Sequence, residues 1–185
     1  LDVNVGAPGA DEVNLMAEAV HAVQRQVAVP LVVDSSNPDA VEVGLKAADG
    51  KILINSVSGE REKLDAILPL AVKYGAAVIG LTLDQKGVPK NAHDRLKVAE
   101  TILQAAASAG LPGKDLVIDC LTLTASAEQE MAMETIRAIE LIKHELDLPV
   151  SLGVSNVSFG LPNRGILNAA FLTMALGAGL DGVIM

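Results

Sequence analysis

Short runs of consecutive apolar residues, each followed at once by a polar residue and then by a helical pattern, constrain this chain more than any other feature. Residues 31–33, 52–54, 77–81 and 116–118 are continuous runs that do not alternate with polar residues, and 150–154 is a strand-like run broken by Ser151. Their length suits strands better than helices. Strands of that kind are covered on both faces, as they are in a parallel sheet. Helical patterns lie between them. Residues 11–27 place Val13, Met16, Ala17, Val20 and Val23 at helical spacing. Asn37 followed by Pro38 is a cap with a first-turn proline, opening a helix to Ala48. Residues 60–74 form a helix stopped by Gly75, and Asn91 caps a helix over 92–109. Ser126 caps a helix to Glu145, and a last helix covers 165–176. With strands at 1–5 and 182–185, the reading is seven strands and six helices in alternation.

Each strand-plus-helix unit takes about 30 residues, one eighth of the roughly 250 residues of a (β/α)8 barrel. The expected fold is therefore an α/β barrel, forming one domain over residues 1–185. The chain opens inside a strand-like run at Leu1 and stops just after another begins, at Val183-Ile184-Met185. On that ground it is expected to be a fragment without the barrel's first strand and last helix. A complete small α/β domain is the alternative. An open barrel exposes two sheet edges, and aggregation or homodimer formation through them is expected. The main rival fold is a doubly wound open sheet. The turn Gly6-Ala7-Pro8-Gly9 lacks the three spaced glycines of a dinucleotide-binding loop.

Charge and composition exclude several functions. Lys and Arg number 14 against 23 Asp and Glu, so no basic stripe for nucleic acid is expected. The most apolar segment, 171–185, is shorter than the roughly 20 residues a bilayer needs and contains Asp181, so no membrane partner is expected either. The single cysteine, Cys120, rules out an internal disulfide framework and a multi-cysteine zinc site. It fits a reducing, cytoplasmic compartment.

The residues that end the strands point to a ligand. Asp2 and Asn4, Asp34, Asn55, Asp119 and Asn156 each stand where a strand meets its following loop. Polar tips at that end of a barrel are where its chemistry is built. Carboxylates only accept hydrogen bonds, whereas amides donate and accept. The set suits a flat heterocycle with N–H donors along one edge and ring nitrogens plus a carbonyl along the other. A guanidine-like edge pairs well with a carboxylate. That favours a pterin over a sugar or a phosphate. The structural alternative is that each tip serves its own turn. Asp34 could bond Ser36 or Asn37, and Asn55 could bond the backbone of Ser56 to Ser58. The carboxylates lie on different strands without histidine partners, so no metal is expected.

Other candidates are weaker. His21, His93 and His144 fall in helical stretches and read as surface residues. Cys120 reads as a small buried residue. Arg164, at the start of a helix beside Asn156, suits either a ligand carbonyl or carboxylate or a surface salt bridge. The polar loop 82–90, with Asp84, Lys86 and Lys90, reads as a flap over the site.

Six motifs carry a family resemblance: Asp2-Val3-Asn4-Val5-Gly6, Asp34-Ser35-Ser36-Asn37-Pro38, Ile54-Asn55-Ser56-Val57, Gly80-Leu81-Thr82-Leu83-Asp84, the stretch from Ile118 to Thr124, and the stretch from Leu152 to Arg164. Together they resemble the pterin-binding methyltransferases. These comprise the folate domain of cobalamin-dependent methionine synthase and the methyltetrahydrofolate:corrinoid protein methyltransferases. The resemblance covers nearly the whole chain, and its last motif is closest to the methionine synthase folate domain. It implies a (β/α)8 barrel of the pterin-binding type that moves a methyl group from methyltetrahydrofolate to the cobalt(I) of a corrinoid. The cobalamin or other corrinoid would be carried by a partner domain or protein. By motif, Asp34, Asn55 and Asp119 match residues that hold the pterin ring. Asn156 matches the catalytic asparagine that bonds the ring nitrogen bearing the methyl group. Asp2 and Arg164 match further pocket residues, and Gly153 and Ser155 flank the asparagine. Dihydropteroate synthase, which resembles this family in fold and pocket, is the enzymatic rival. It would have a lysine-containing stretch where this chain has Val154-Ser155-Asn156-Val157. A non-catalytic folate-binding module is the alternative of a different class.

Overall fold

The structure, a computed structural model, describes residues 1–184. Among them are seven strands: β1 (Asp2–Asn4), β2 (Val32–Asp34), β3 (Leu53–Ser58), β4 (Ala77–Leu81), β5 (Leu116–Asp119), β6 (Val150–Gly153) and β7 (Gly182–Ile184). Six helices alternate with them: α1 (Glu12–Gln26), α2 (Pro38–Ala47), α3 (Arg61–Tyr74), α4 (Ala92–Ala109), α5 (Glu130–Leu146) and α6 (Arg164–Gly177). Met185, expected to lengthen β7, lies outside the described residues. The sheet order follows the chain order from β1 to β7, and every pairing is parallel. A doubly wound sheet reverses its strand order at a switch point. This one does not reverse, so the fold is a (β/α) barrel wall.

The helices start where the sequence supplies caps. Asp11 accepts from the Asn14 N–H, Asn37 from the Asp39 N–H and Asn91 from the Asp94 N–H. Two elements differ from expectation. The α5 helix begins at Glu130, not after Ser126, because the residues before it are spent on the β6 loop. The Ala125 N–H bonds the Val157 carbonyl, and the Ser126 hydroxyl bonds the Phe159 carbonyl. The β6 strand ends at Gly153, and Val154–Ser158 forms a short, tightly wound helical turn. In such a turn residues three apart share a face. That buries Val154 and Val157 together and leaves Asn156 exposed.

The outward face of the sheet meets the helices in one aliphatic core. Val33, Ile54, Val78, Ile118 and Leu152 pack there with Met16, Val41, Leu64, Ile102 and Ile139. On β4, a Cβ at Gly80 would stand 2.9 Å from Cγ2 of Ile102, so glycine lets α4 lie directly on the strand. His21, His93 and His144 are exposed on α1, α4 and α5. Cys120 is fully buried, and burial pushes its thiol up well beyond the usual range.

Candidate functional site

Alternation along the strands decides which residues face into the curl. Val3, Val33, Ile54 and Ile118 turn toward the helices, so the residues beside them turn inward. A cavity of about 470 Å³ inside the curl is lined by Asp2, Val32, Leu53, Ile79, Val117 and Ser151, with others from the strand starts. Asp34, Asn55 and Asp119 lie two residues beyond Val32, Leu53 and Val117 and so share that face, nearer the carboxyl ends. The structure thus brings Asp2, Asp34, Asn55 and Asp119 onto one inner surface.

On β1 to β3 the polar residues hold one another. Asn4, Asp34 and Asn55 are neighbours in register. Asn4 Nδ2 donates to Asp34 Oδ2 at 2.9 Å, and Asn55 Nδ2 donates to Asp2 Oδ2 at 3.1 Å. Asn4 Oδ1 accepts from the Gly6 N–H at 2.9 Å. Neither Asp34 nor Asn55 is spent on its own turn. The N–H of Asn37 goes instead to the Ser35 hydroxyl, and Ser58 bonds Glu60. A register shift between Asn55 and Val57 bends β3 just past the asparagine, as bulges beside sites do. Burial of its carboxylate raises the pKa of Asp2, the bond from Asn55 opposes this, and the charge of Asp34 adds to it.

On β5 and β6 the backbone does the holding. Asp119 is 5% exposed, and its Oδ1 accepts from the Leu121 N–H at 2.7 Å. Burial pushes its carboxyl up to about 6, while the backbone N–H groups of Leu121 and Gly153 pull it down. Asn156 stands over Gly153. A Cβ at Gly153 would lie 2.9 Å from Asn156 Nδ2, so glycine lets the amide rest directly over the end of β6. Asp119, Gly153 and Asn156 therefore occupy one place on the rim.

Arg164 forms no salt bridge among the described residues. Its Nε donates to the Ser158 hydroxyl at 3.0 Å and its Nη2 to the Ser155 carbonyl at 3.1 Å. Its guanidinium also stacks over the Phe159 ring, 5.9 Å from the centroid. It clamps the turn that carries Ser155 and Asn156. That turn is tied from the other side too, because Thr124 Oγ1 donates to the Phe159 carbonyl at 2.7 Å.

The loop 82–90 is not spread across the curl. Asp84 and Gly87 close a tight turn, and the loop borders a groove of about 580 Å³ with Val98 and Thr101 of α4, on the helix side. Its ends are pinned where the Thr82 N–H bonds the Asp119 carbonyl and Arg95 Nε bonds the Pro89 carbonyl. Arg95 itself escaped the sequence reading. The available signal was an arginine on the apolar stripe that Ala92, Val98, Ala99, Ile102 and Ala106 define on α4. Among the described residues, no group of three His, Cys, Asp or Glu side chains could hold a metal, and no helix is long and apolar enough to cross a membrane.

A carboxylate–amide rim with no nucleophile can bind and polarise a flat polar ring, and comparison with known proteins agrees. Residues 2–185 match the family model described as pterin binding enzyme. Methionine synthase of Mycobacterium tuberculosis is 33% identical over 100% of this chain and 17% of its own length. Methionine synthase of Mycobacterium leprae is 34% identical over 98% of this chain and 16% of its length. The methylcorrinoid:tetrahydrofolate methyltransferase of Eubacterium limosum is 28% identical over 100% of this chain and 69% of its length. The chain thus spans about a sixth of each synthase. Among solved structures, dihydropteroate synthase of Thermus thermophilus superposes with a TM-score of 0.74 at 21% identity, over 94% of this chain and 74% of that one. At such identity the likeness is one of fold.

Proposed function

This chain belongs to the family of pterin-binding enzymes, and from that premise we propose that it transfers a methyl group between a folate and a corrinoid. The forward direction takes the methyl from methyltetrahydrofolate, as the folate domain of a methionine synthase. The corrinoid, carried by a partner domain or protein, supplies the cobalt(I) nucleophile.

The observation that carries this reading is the setting of Asn156. Its amide meets no hydrogen-bond partner among the described residues, yet Arg164 and Thr124 fix the turn beneath it. Asp34, Asn55 and Asp119 supply acceptors and an amide for the edges of a pterin, and Asp2 braces Asn55. A tertiary ring amine leaves poorly until it is protonated or strongly hydrogen-bonded. The Asn156 carbonyl oxygen can accept from the protonated ring and stabilise the charge that develops there. The chain needs no nucleophile of its own when the partner brings one. The E. limosum relative is named for transfer in the opposite direction. A pocket that stabilises one transition state serves both directions.

The test is single-turnover transfer from methyl-labelled methyltetrahydrofolate to reduced cobalamin, with equilibrium folate binding measured beside it. Label on the corrinoid is the expected result. Folate binding without transfer would make this a non-catalytic module. Condensation of a pterin pyrophosphate with an aminobenzoate would make it a dihydropteroate synthase.

A further inference from the structure

The tip of β5 is gripped from the side by a buried guanidinium that the pterin contacts do not use. Arg95 on α4 is 0% exposed. Its Nε donates to the Pro89 carbonyl at 3.0 Å. Its Nη1 donates to the carbonyls of Cys120 at 2.9 Å and Leu121 at 3.0 Å, and to Thr135 Oγ1 at 2.7 Å. No carboxylate pairs with it among the described residues. Three separate segments, the end of loop 82–90, the β5 tip and α5, therefore meet on one side chain.

The peptide joining Cys120 to Leu121 is the point of action. A trans peptide is rigid and planar, with its carbonyl and N–H pointing opposite ways. Arg95 holds the carbonyl end of this plane, and Asp119 accepts from the N–H end at 2.7 Å. Leu121 sits at φ +57°, a left-handed conformation that a branched side chain rarely adopts. Such a residue stays there only when its surroundings over-determine it. Here those surroundings are Arg95 and Thr135, both on the Leu121 carbonyl.

We propose that Arg95 is a positioning residue for the site: it orients the Cys120–Leu121 peptide so that the Leu121 N–H aims the Asp119 carboxylate into the curl. The proposal rests on the reading that Asp119 holds the pterin. The charge on Arg95 also polarises the peptide and strengthens its N–H as a donor. The ionisable groups around this plane are few. Cys120 directly follows β5, and Glu134 on α5 is occupied with the Ala92 N–H. The β6 strand presents Ser151 and the backbone of Gly153, which do not titrate.

The test follows the titration of the Asp119 carboxyl carbon by NMR in the ligand-free protein, together with methyltetrahydrofolate binding and thermal unfolding. Losing the N–H that bonds the ionised form raises a carboxyl pKa. Arg95→Met should move the midpoint up by about one pH unit and weaken folate binding about 10-fold. Arg95→Lys should not rescue either, because one ammonium cannot reach four acceptors on three segments. Thr135→Val should move the midpoint the same way by less, and it carries the test if the Arg95 variants do not fold. In an Asp119→Ala background, Arg95→Lys should add no further loss of affinity. A lowered unfolding temperature with an unchanged midpoint in both Arg95→Lys and Thr135→Val would overturn the proposal, whatever the pocket binds. A moved midpoint with folate affinity indifferent to Asp119→Ala would overturn the pterin reading instead.

Discussion

On β1 to β3 the polar rim is a mesh of side chains, Asn4 on Asp34 and Asn55 on Asp2, at half-buried or exposed positions. On β5 Asp119 bonds backbone instead, and two arginines grip the turns that carry Asp119 and Asn156. The chemistry of the residues is the same in both halves, namely carboxylates and amides. What differs is stiffness. A mesh of exposed side chains reorganises at little cost, so it can adapt to a ring that enters. A carboxylate aimed by a fixed peptide plane is held before any ligand arrives, and the turn that carries Asn156 is clamped beside it. Preorganised groups act most where charge develops, because they need no reorganisation at that moment. The comparison therefore assigns adaptable ground-state contacts to the first half and a fixed one, Asp119, to the second. It assigns transition-state stabilisation to the second half, through Asn156.

The sharpest way to break this division is Asn156→Ala. It should lower the rate of single-turnover methyl transfer by about 2–4 kcal/mol, roughly 30- to 1000-fold, and lower folate affinity by less. Equal losses in rate and affinity would make Asn156 another binding residue. A pH profile of stability comes next. Asp119 is raised from an ordinary 3.8 to about 6 in the fold, so the folded protein binds more protons than the unfolded chain between those values. This group's contribution should make the protein most stable below about pH 4 and cost about 2–3 kcal/mol as pH rises through about 6, levelling off about one pH unit above that. Urea unfolding of wild type and Asp119→Asn across that window reads it. A flat difference would mean the carboxylate is well solvated and the second half is no stiffer than the first. Asp119→Ala should cost about 1–3 kcal/mol of folate affinity, seen by equilibrium titration. The smallest effect is expected from Asn4→Ala, about 1 kcal/mol on affinity, because Asp34 loses only a neighbouring side chain. A loss as large as that of Asp119→Ala would erase the distinction between the halves.

The strand tips were legible in the sequence because each stands next to a continuous apolar run, and strand parity then fixes its face. Asp34, Asn55 and Asp119 were found that way. The winding was legible from strict alternation, although only the observed strand order separates a barrel wall from a doubly wound sheet. What stayed hidden depends on partners distant in the chain. The late start of α5 follows from bonds that Ala125 and Ser126 make to the β6 loop, so a local cap signal at Ser126 misleads. Arg164 turned out to grip its own turn, a matter of geometry that residue type does not decide. Arg95 drew no reading from the sequence, and only the carbonyls of the β5 tip explain why it is buried.

A structure of the protein with methyltetrahydrofolate bound tests the central claim most directly. The pterin should lie inside the curl with one edge within about 2.6–3.2 Å of the Asp119 carboxylate and of Asp34 and Asn55, and with its methyl-bearing nitrogen beside Asn156. The Cys120–Leu121 peptide should be unmoved from the ligand-free state, while the side chains on β1 to β3 shift to meet the ring. A pterin bound elsewhere, or one that turns Asp119 away from Leu121 while the first half stays fixed, would contradict the account.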